Sequence, residues 1–472
     1  MKLPQWLFWW EWVQKMVWDP FWWLICFIII LWVPFLRVWW WVFLPWMLMY
    51  QLKVVYRWWM NWDYDYAKTK WILLEIIPPR EVLIPFKAME DVFSSIWPLM
   101  DVGNFREQWC DGELNNGPYW CSWEIASIEG KIHFYVRFLQ QHVSSIEMAL
   151  YAHYPDIEIH QVSDYTKLVP PTVPNEEWDM YGEDWDYRTR KNERHDAYPI
   201  KTYEKFFEPQ GERISAEEKR IDPIIGLLEG LSRLGPGEHY WCQFITVPIV
   251  EYDEKDIFKD AEKIINKISQ RPEKKVSTLM DEIIYIAKQV ILGPDKEGSG
   301  ESAKYDWAPM EKDEETDEMR ISLTPGEREI LTEVENKMKK PLFRTTIRGV
   351  YVAKRENWKA PHRVLFRSYM GHFITNNMNS LGFQAKTRPR VHFFMRKRRV
   401  FMRARKMFRM SVLRLPPLFP KRMAADLNPI LSSEELATMF HFPLRISGMV
   451  TPTLVKIESK KAGPPANLPV DE

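Results

Sequence analysis

The chain has 472 residues, room for two or three domains that each bury a core. Its 64 Lys and Arg balance 64 Asp and Glu, so it is no chain-wide polycation, and anything it grips by charge it grips locally. The four cysteines (Cys26, Cys110, Cys121, Cys242) form no CxxC and no metal-ligand spacing, and the last three read as reduced cytosolic thiols, with a Cys110–Cys121 disulfide as the alternative.

Residues 1–70 read as a Trp-rich membrane anchor. Sixteen of the 25 tryptophans fall within the first 72 residues, and indole favours the bilayer–water boundary, where its ring is dry and its N–H wet. Phe21 to Tyr50 carries a single charge, Arg37, and a span needs about 20 apolar residues. A transmembrane segment within 20–50 is therefore expected, either one tilted helix or a hairpin turning near Pro34–Arg37. The excess of Lys and Arg on its C-terminal flank (Lys53, Arg57, Lys68, Lys70) places the remainder in the cytoplasm, at the cell membrane.

From residue 71 the pattern is that of ordinary globular chain. "YWCSWEIASIEGKIHFYVRF" alternates on both sides of a Glu129–Gly130 turn, a hairpin signal, and "QQHVSSIEMALYAH" sets Leu139, Val143, Ile146 and Leu150 on one helical face. A strand is expected at 156–162 and a long acidic, aromatic loop at 168–195. "YPIKTYEKFF" then reads as a strand, Ser215 and Glu218 as the capping box of a helix, and 239–250 as a buried strand. Strand–helix–strand twice over predicts a ferredoxin-like, split βαβ domain across 71–292, in an α+β chain. Amphipathic helices close it near 254–269 and 277–291.

Residues 293–320, with ten acidic residues and three lysines, read as a disordered linker. A smaller C-terminal α+β domain is expected over 321–425. It opens on a helix with Thr324 as N-cap, Pro325 at the first position and Glu327 at the third. A strand "FRTTIRGVYVA" and a helix over 361–381 follow. Residues 426–472 form a last short helix, capped by Ser432 and Glu435, and a Pro-rich tail.

No phosphate loop, HExxH, GxSxG or dinucleotide fingerprint stands in a suitable context, and no cofactor is implied. One catalytic candidate is the D-x-D pair Asp184 and Asp186, whose carboxylates could share a divalent ion beside a nucleotide-sugar diphosphate; an acid-rich loop produces such pairs by composition alone. The charge segregation is the stronger signal. Between Asn357 and Ala425 there is no Asp or Glu against seventeen Lys or Arg. Wound as a helix at about 100° per residue, residues 395–410 put Val400, Phe401, Ala404, Met407 and Phe408 on one side. Arg398, Arg399, Arg403, Arg405, Lys406 and Arg409 crowd the other. Such a face suits nucleic-acid phosphates, anionic lipid headgroups or plain solvation, and the excess of Arg over Lys favours bidentate phosphate contact.

The C-terminal stretch resembles the region just upstream of the motor domain in conjugative DNA-transfer ATPases of type IV secretion systems. The matching positions are Leu431, Ser433, Glu434, Glu435, Leu436, Ala437, Phe440, His441, Phe442 and Pro443, then Glu458, Ser459, Lys460, Lys461, Pro464, Pro465, Asn467, Leu468 and Pro469. "IPPREVLIPFKAMEDVFSSIW", "EIHQVSDYTKLVP" and "YPIKTYEKFFEP" look like an uncharacterised membrane-anchored bacterial family with the same C-terminal segment. In the ATPases the Asn-Leu-Pro stretch leads into the strand before the phosphate loop, whereas this chain stops at Glu472. The resemblance thus implies a non-enzymatic component of a type IV secretion-like, DNA-transfer machine that docks a separate P-loop ATPase. Glu434, Glu435, Phe440, His441, Phe442 and Pro443 are the docking candidates it names. A lipid-binding scaffold and a D-x-D transferase are the other two readings.

Overall fold

The computed structural model describes residues 69–78, 85–99, 120–188, 195–206, 222–249, 255–269, 295–297, 304–306, 323–392, 395–415 and 428–443, with 28, 32–34, 38–39 and 41. In chain order the elements are β1 (Trp71–Ile77), α1 (Pro85–Ile96), β2 (Cys121–Ile128), β3 (Lys131–Leu139), α2 (Val143–His153), β4 (Glu158–Val162) and β5 (Trp178–Arg188). Next come α3 (Pro223–Ser232), β6 (Glu238–Pro248), α4 (Lys255–Ile268), β7 (Asp295–Glu297), β8 (Lys304–Asp306) and α5 (Pro325–Met338). The series ends with β9 (Leu342–Lys354), α6 (Leu365–Met370), β10 (Ser380–Phe383), α7 (Arg396–Leu413), β11 (Ile430–Ser432) and α8 (Ser433–Met439).

Nine strands form one antiparallel sheet in the order β10-β5-β9-β6-β2-β3-β1-β4, with β11 added to β9. The pair β6–β9 runs in register from Glu238↔Ala353 to Pro248↔Phe343, so the sheet joins segments about a hundred residues apart. This corrects the expected division into a ferredoxin-like domain and a smaller C-terminal one. Each local strand–helix–strand reading is compatible with either arrangement. The partner of β6 decides between them, and that partner is β9.

For the expected transmembrane anchor the described residues supply no spanning helix, since among them no helix is long and apolar enough to cross a membrane. The longest of them, α7, has 18 residues and is studded with Arg and Lys. Most of residues 20–50, the rest of the Trp-rich stretch before them, the helix at 277–291, the Ser215–Glu218 box and the tail beyond 443 lie outside the described residues.

Local signals placed several elements. The β2–β3 hairpin turns at Glu129 and Gly130, both at positive φ. Thr324 and Glu327 form the capping box of α5, with Pro325 in its first turn. Other segments differ. The expected loop at 168–195 contains β5, and "YPIKTYEKFF" supplies a 3-10 turn at Tyr203–Phe206. The expected helix at 361–381 is the short α6 flanked by 3-10 turns, then β10. Within the acidic linker β7 and β8 pair with each other.

Alternation along the strands gives the sheet two unlike faces. One carries Trp123, Ile125, Phe134, Val136, Tyr240, Cys242, Phe244, Ile347 and Tyr351 and is covered by α1, α2, α3, α6 and α8. The other carries Leu73, Ala126, Tyr135, Met180, Trp241, Val350 and Val352, and α7 lies on it. Close approach on the first face needs a missing side chain at Gly349. A Cβ there would sit 2.6 Å from Phe366 Cδ1 and 2.9 Å from its Cγ. Phe366 is wedged among Trp185, Phe244 and Tyr369 and has nowhere to retreat. Gly349→Ala should therefore destabilise the fold by about 1–3 kcal/mol, read as a lower urea midpoint with unchanged slope.

Candidate functional site

Helix α7 is flanked by its caps Met395 and Arg414, both in the left-handed region, and the Arg414 N–H closes the last turn onto Met410 and Ser411 carbonyls. Ala404, Met407, Phe408 and Ser411 are buried beneath it. Phe408 packs on Trp241 at 5.9 Å between ring centroids. Met407 passes directly over β5, where a Cβ on Gly182 would lie 2.5 Å from its sulfur. A side chain at 182 would push the helix off the sheet.

The C-terminal end of α7 is fixed by a buried charge network. Arg414 Nε and Nη2 donate to the two carboxylate oxygens of Glu124 at 2.9 and 3.1 Å, and Nη1 and Nη2 reach Asp164 at 2.5 and 3.0 Å. Ser122 and Tyr165 hydroxyls each donate to Glu124 at 2.5 Å. Gln243 Nε2 donates to the Ser411 carbonyl at 3.0 Å. Burial alone would raise the Asp164 carboxyl, but the Arg414 charge and hydrogen bonds hold it below its ordinary range. Burial likewise opposes the Arg414 charge, and Glu124 more than offsets that, so the guanidinium stays protonated.

The opposite face of α7 is open. Arg398, Arg399, Arg405, Lys406 and Arg409 are exposed, as are Arg396 and Lys397. Arg403 departs from expectation. It is half-buried, and its Nη1 donates to the carbonyls of Ala385, Arg388 and Arg390 at 3.3–3.5 Å, so it clamps the preceding segment. Phe401 also departs, being 41% exposed, and Met402 is 60% exposed. The apolar stripe meets the sheet only from Ala404 onward, which leaves the first two turns outside the packing.

Phe401 and Arg405 line an open groove of about 540 Å³ with Thr172, Pro174, Asn175, Glu176 and Arg355. Arg355 is held in place by Nε donation to the Asn175 carbonyl at 2.9 Å and by Asp179 at 3.2 Å. Positive charge continues beyond the clamped segment to the sheet edge. There the guanidiniums of Arg388, Arg367 and Arg188 surround the Phe383 ring at 4.3, 4.9 and 5.4 Å, with Glu183 as the carboxylate partner of Arg388 and Arg367.

Comparison with protein-family models, curated proteins and solved structures finds no match. What the chain does must be argued from its own side chains.

The D-x-D pair is not in a loop but on β5, and its two residues share the α7 face. Asp184 is buried and accepts from Arg348 Nε at 2.7 Å, its cross-strand neighbour. Asp186 accepts the Tyr187 N–H at 2.8 Å. Among the described residues no group of three His, Cys, Asp or Glu could hold a metal ion. An arginine already occupies the position a cation would take at Asp184.

The six docking candidates are corrected by burial. Glu434, Glu435, Phe440, His441 and Phe442 are buried and Pro443 is half-buried. Phe440 lies among Trp123, Phe134 and Phe244 at 5.5–6.2 Å, in the middle of the first-face core. His441 contacts Asp222 at 2.9 Å, and Glu434 pairs with Lys340. The five buried ones close the sheet and leave Pro443 as the one with surface to offer a partner. The Arg414–Glu124–Asp164 network was invisible in the sequence, since its members stand 250 and 290 positions apart with no local pattern.

Proposed function

We propose that the outer face of α7 binds nucleic acid by its phosphates and that the chain acts without catalysis of its own, as a component of a DNA-transfer machine. The observation that supports this reading is how the helix divides. From Ala404 onward its apolar side is committed to the sheet by Ala404, Met407 and Phe408, so that part is not available to a bilayer as an interfacial helix requires. What it presents outward is a cationic row. Arg398 to Arg409 covers about 16 Å at ~1.5 Å per residue, enough to follow several phosphates of a strand rising about 3.4 Å per nucleotide. Arginine suits that target, because its planar fork meets phosphate oxygens two at a time. The DNA-transfer setting and a separate P-loop ATPase as partner rest on the sequence resemblance.

The test is binding of the full-length chain to labelled duplex DNA across a salt series. Each neutralised phosphate contributes roughly 0.9 to the slope of log K against log salt. The triple variant Arg398→Ala, Arg405→Ala, Arg409→Ala should lower that slope by about 2–3 while leaving the urea midpoint in place, since all three are exposed. Binding confined to anionic vesicles, with none to DNA, would replace this reading by the lipid one.

A further inference from the structure

We infer that the groove beside α7 takes an unstacked base of single-stranded nucleic acid, so that this surface favours a single strand over a duplex. The inference rests on the nucleic-acid reading of α7 above and deepens it. A large ring left 41% exposed on a helix whose other phenylalanine is fully packed is the first observation. Phe401 is not stranded on a flat surface; with Pro174 it forms an apolar part of the groove lining.

The second observation is the charge around that ring. Arg405 stands one helical turn from Phe401, lines the same groove and makes no hydrogen bond or ion pair with a described residue. Arg355 lines it too, aimed by the Asn175 carbonyl and Asp179 yet with half of its side chain in solvent. Glu176 is the single carboxylate on the lining and Asp179 pairs with Arg355 from behind, so Arg405 is the lining cation left for a ligand's phosphate. The turn that shapes it is braced from inside, as the Asn175 side chain accepts the Glu177 and Trp178 N–H groups at 2.9 and 2.7 Å.

An aromatic face beside a phosphate-seeking guanidinium is what a stacked nucleotide requires: the base lies on the ring and a flanking phosphate meets Arg405. A duplex cannot use the ring, because its base faces are already covered by their neighbours. It can use only the cationic row. A single strand uses both, entering the groove at Phe401 and Arg405 and continuing along Arg398 and Arg409.

The experiment compares the full-length chain and Phe401→Ala on a labelled single-stranded oligonucleotide and on the duplex of the same length at one salt concentration. Stacking on one aromatic ring accounts for roughly a 5- to 100-fold change in single-strand affinity. That loss is expected for Phe401→Ala on the single strand, with less than a twofold change on the duplex. Phe401→Tyr and Phe401→Trp should keep the wild-type preference, whereas Phe401→Leu, apolar but not aromatic, should behave as Ala. Equal loss on both ligands, or none on either, would overturn the groove assignment and leave the α7 reading standing. Failure of the wild-type chain to bind either ligand would overturn both.

Discussion

Arg414→Ala should lower the unfolding free energy by about 3–5 kcal/mol, because it strands a buried carboxylate instead of merely removing a contact. Glu124 is fully buried, and among the described residues the guanidinium is the only cation that touches it. The two remaining donors, Ser122 and Tyr165, are neutral and cannot replace a charge at that depth. Urea denaturation followed by circular dichroism measures the loss. Adding Glu124→Gln to Arg414→Ala should recover part of it, since the neutral amide oxygen still accepts from the Tyr165 hydroxyl and the carboxylate left without its cation is then Asp164, whose side chain is a quarter exposed. A stabilising pair would respond in that way, and an inert one would show no loss to recover. The same network gives a pH dependence. Asp164 has its pKa depressed in the folded state, so its contribution is complete above the usual aspartate range near pH 4 and is lost as pH falls through the lower folded value. In Arg414→Ala the largest cause of that depression is gone and only the Thr166 hydrogen bonds remain, so stability should fall less steeply on acidification than in the wild type. Tethering is at stake as well as stability, since Arg414 is the residue that fastens the end of α7 to β2.

What could be read in the sequence was whatever is decided within a few residues. The Thr324 and Ser432 caps, the Glu129–Gly130 turn and the span of α7 all follow from neighbours on the chain, and each is where the pattern put it. Strand partners are decided elsewhere. Nothing near Glu238 says that β6 lies beside β9, yet that pairing merges two expected domains into one sheet. Charge is similarly ambiguous when read locally. Arg398, Arg403 and Arg414 look alike as letters, but one faces solvent, one holds three carbonyls and one sits on two distant carboxylates, from β2 and from the turn after β4. Side-chain fate depends on what the fold brings opposite, and composition cannot see it. The segment "SSEELATMFHFP" shows the limit from the other side. A distinctive string suggested a partner, and its residues instead plug the first-face core of their own chain. Phe401 was assigned inward because 100° steps place it with Phe408; the sheet begins one turn too late to receive it.

Lys337→Met should cost about 3–5 kcal/mol for the same physical reason, at a different junction. Lys337 on α5 is buried against Glu435 at 3.2 Å, with the Tyr187 hydroxyl at 3.1 Å and the Tyr198 carbonyl at 3.3 Å around its ammonium. Glu435 in turn accepts the Ile200 N–H and the Tyr187 hydroxyl on one oxygen and the Ser432 N–H, at 2.8 Å, on the other. One carboxylate thus joins β5, α5, the 198–200 segment and the N-terminus of α8, and it is the third-position acid of the α8 capping box. Removing the cation leaves that carboxylate charged, buried and bonded only to neutral donors. The loss should appear first at α8, which has seven residues and few hydrogen bonds of its own. Hydrogen exchange at Ala437–Met439 should therefore accelerate more than at β6. Adding Glu435→Gln should restore only part of the stability. Gln oxygen can serve Tyr187 and Ile200, but its amide then points a donor at the Ser432 N–H, where an acceptor is needed. A full rescue by the double variant would mean that charge alone matters here, and a partial one that the cap and the ion pair act through the same side chain.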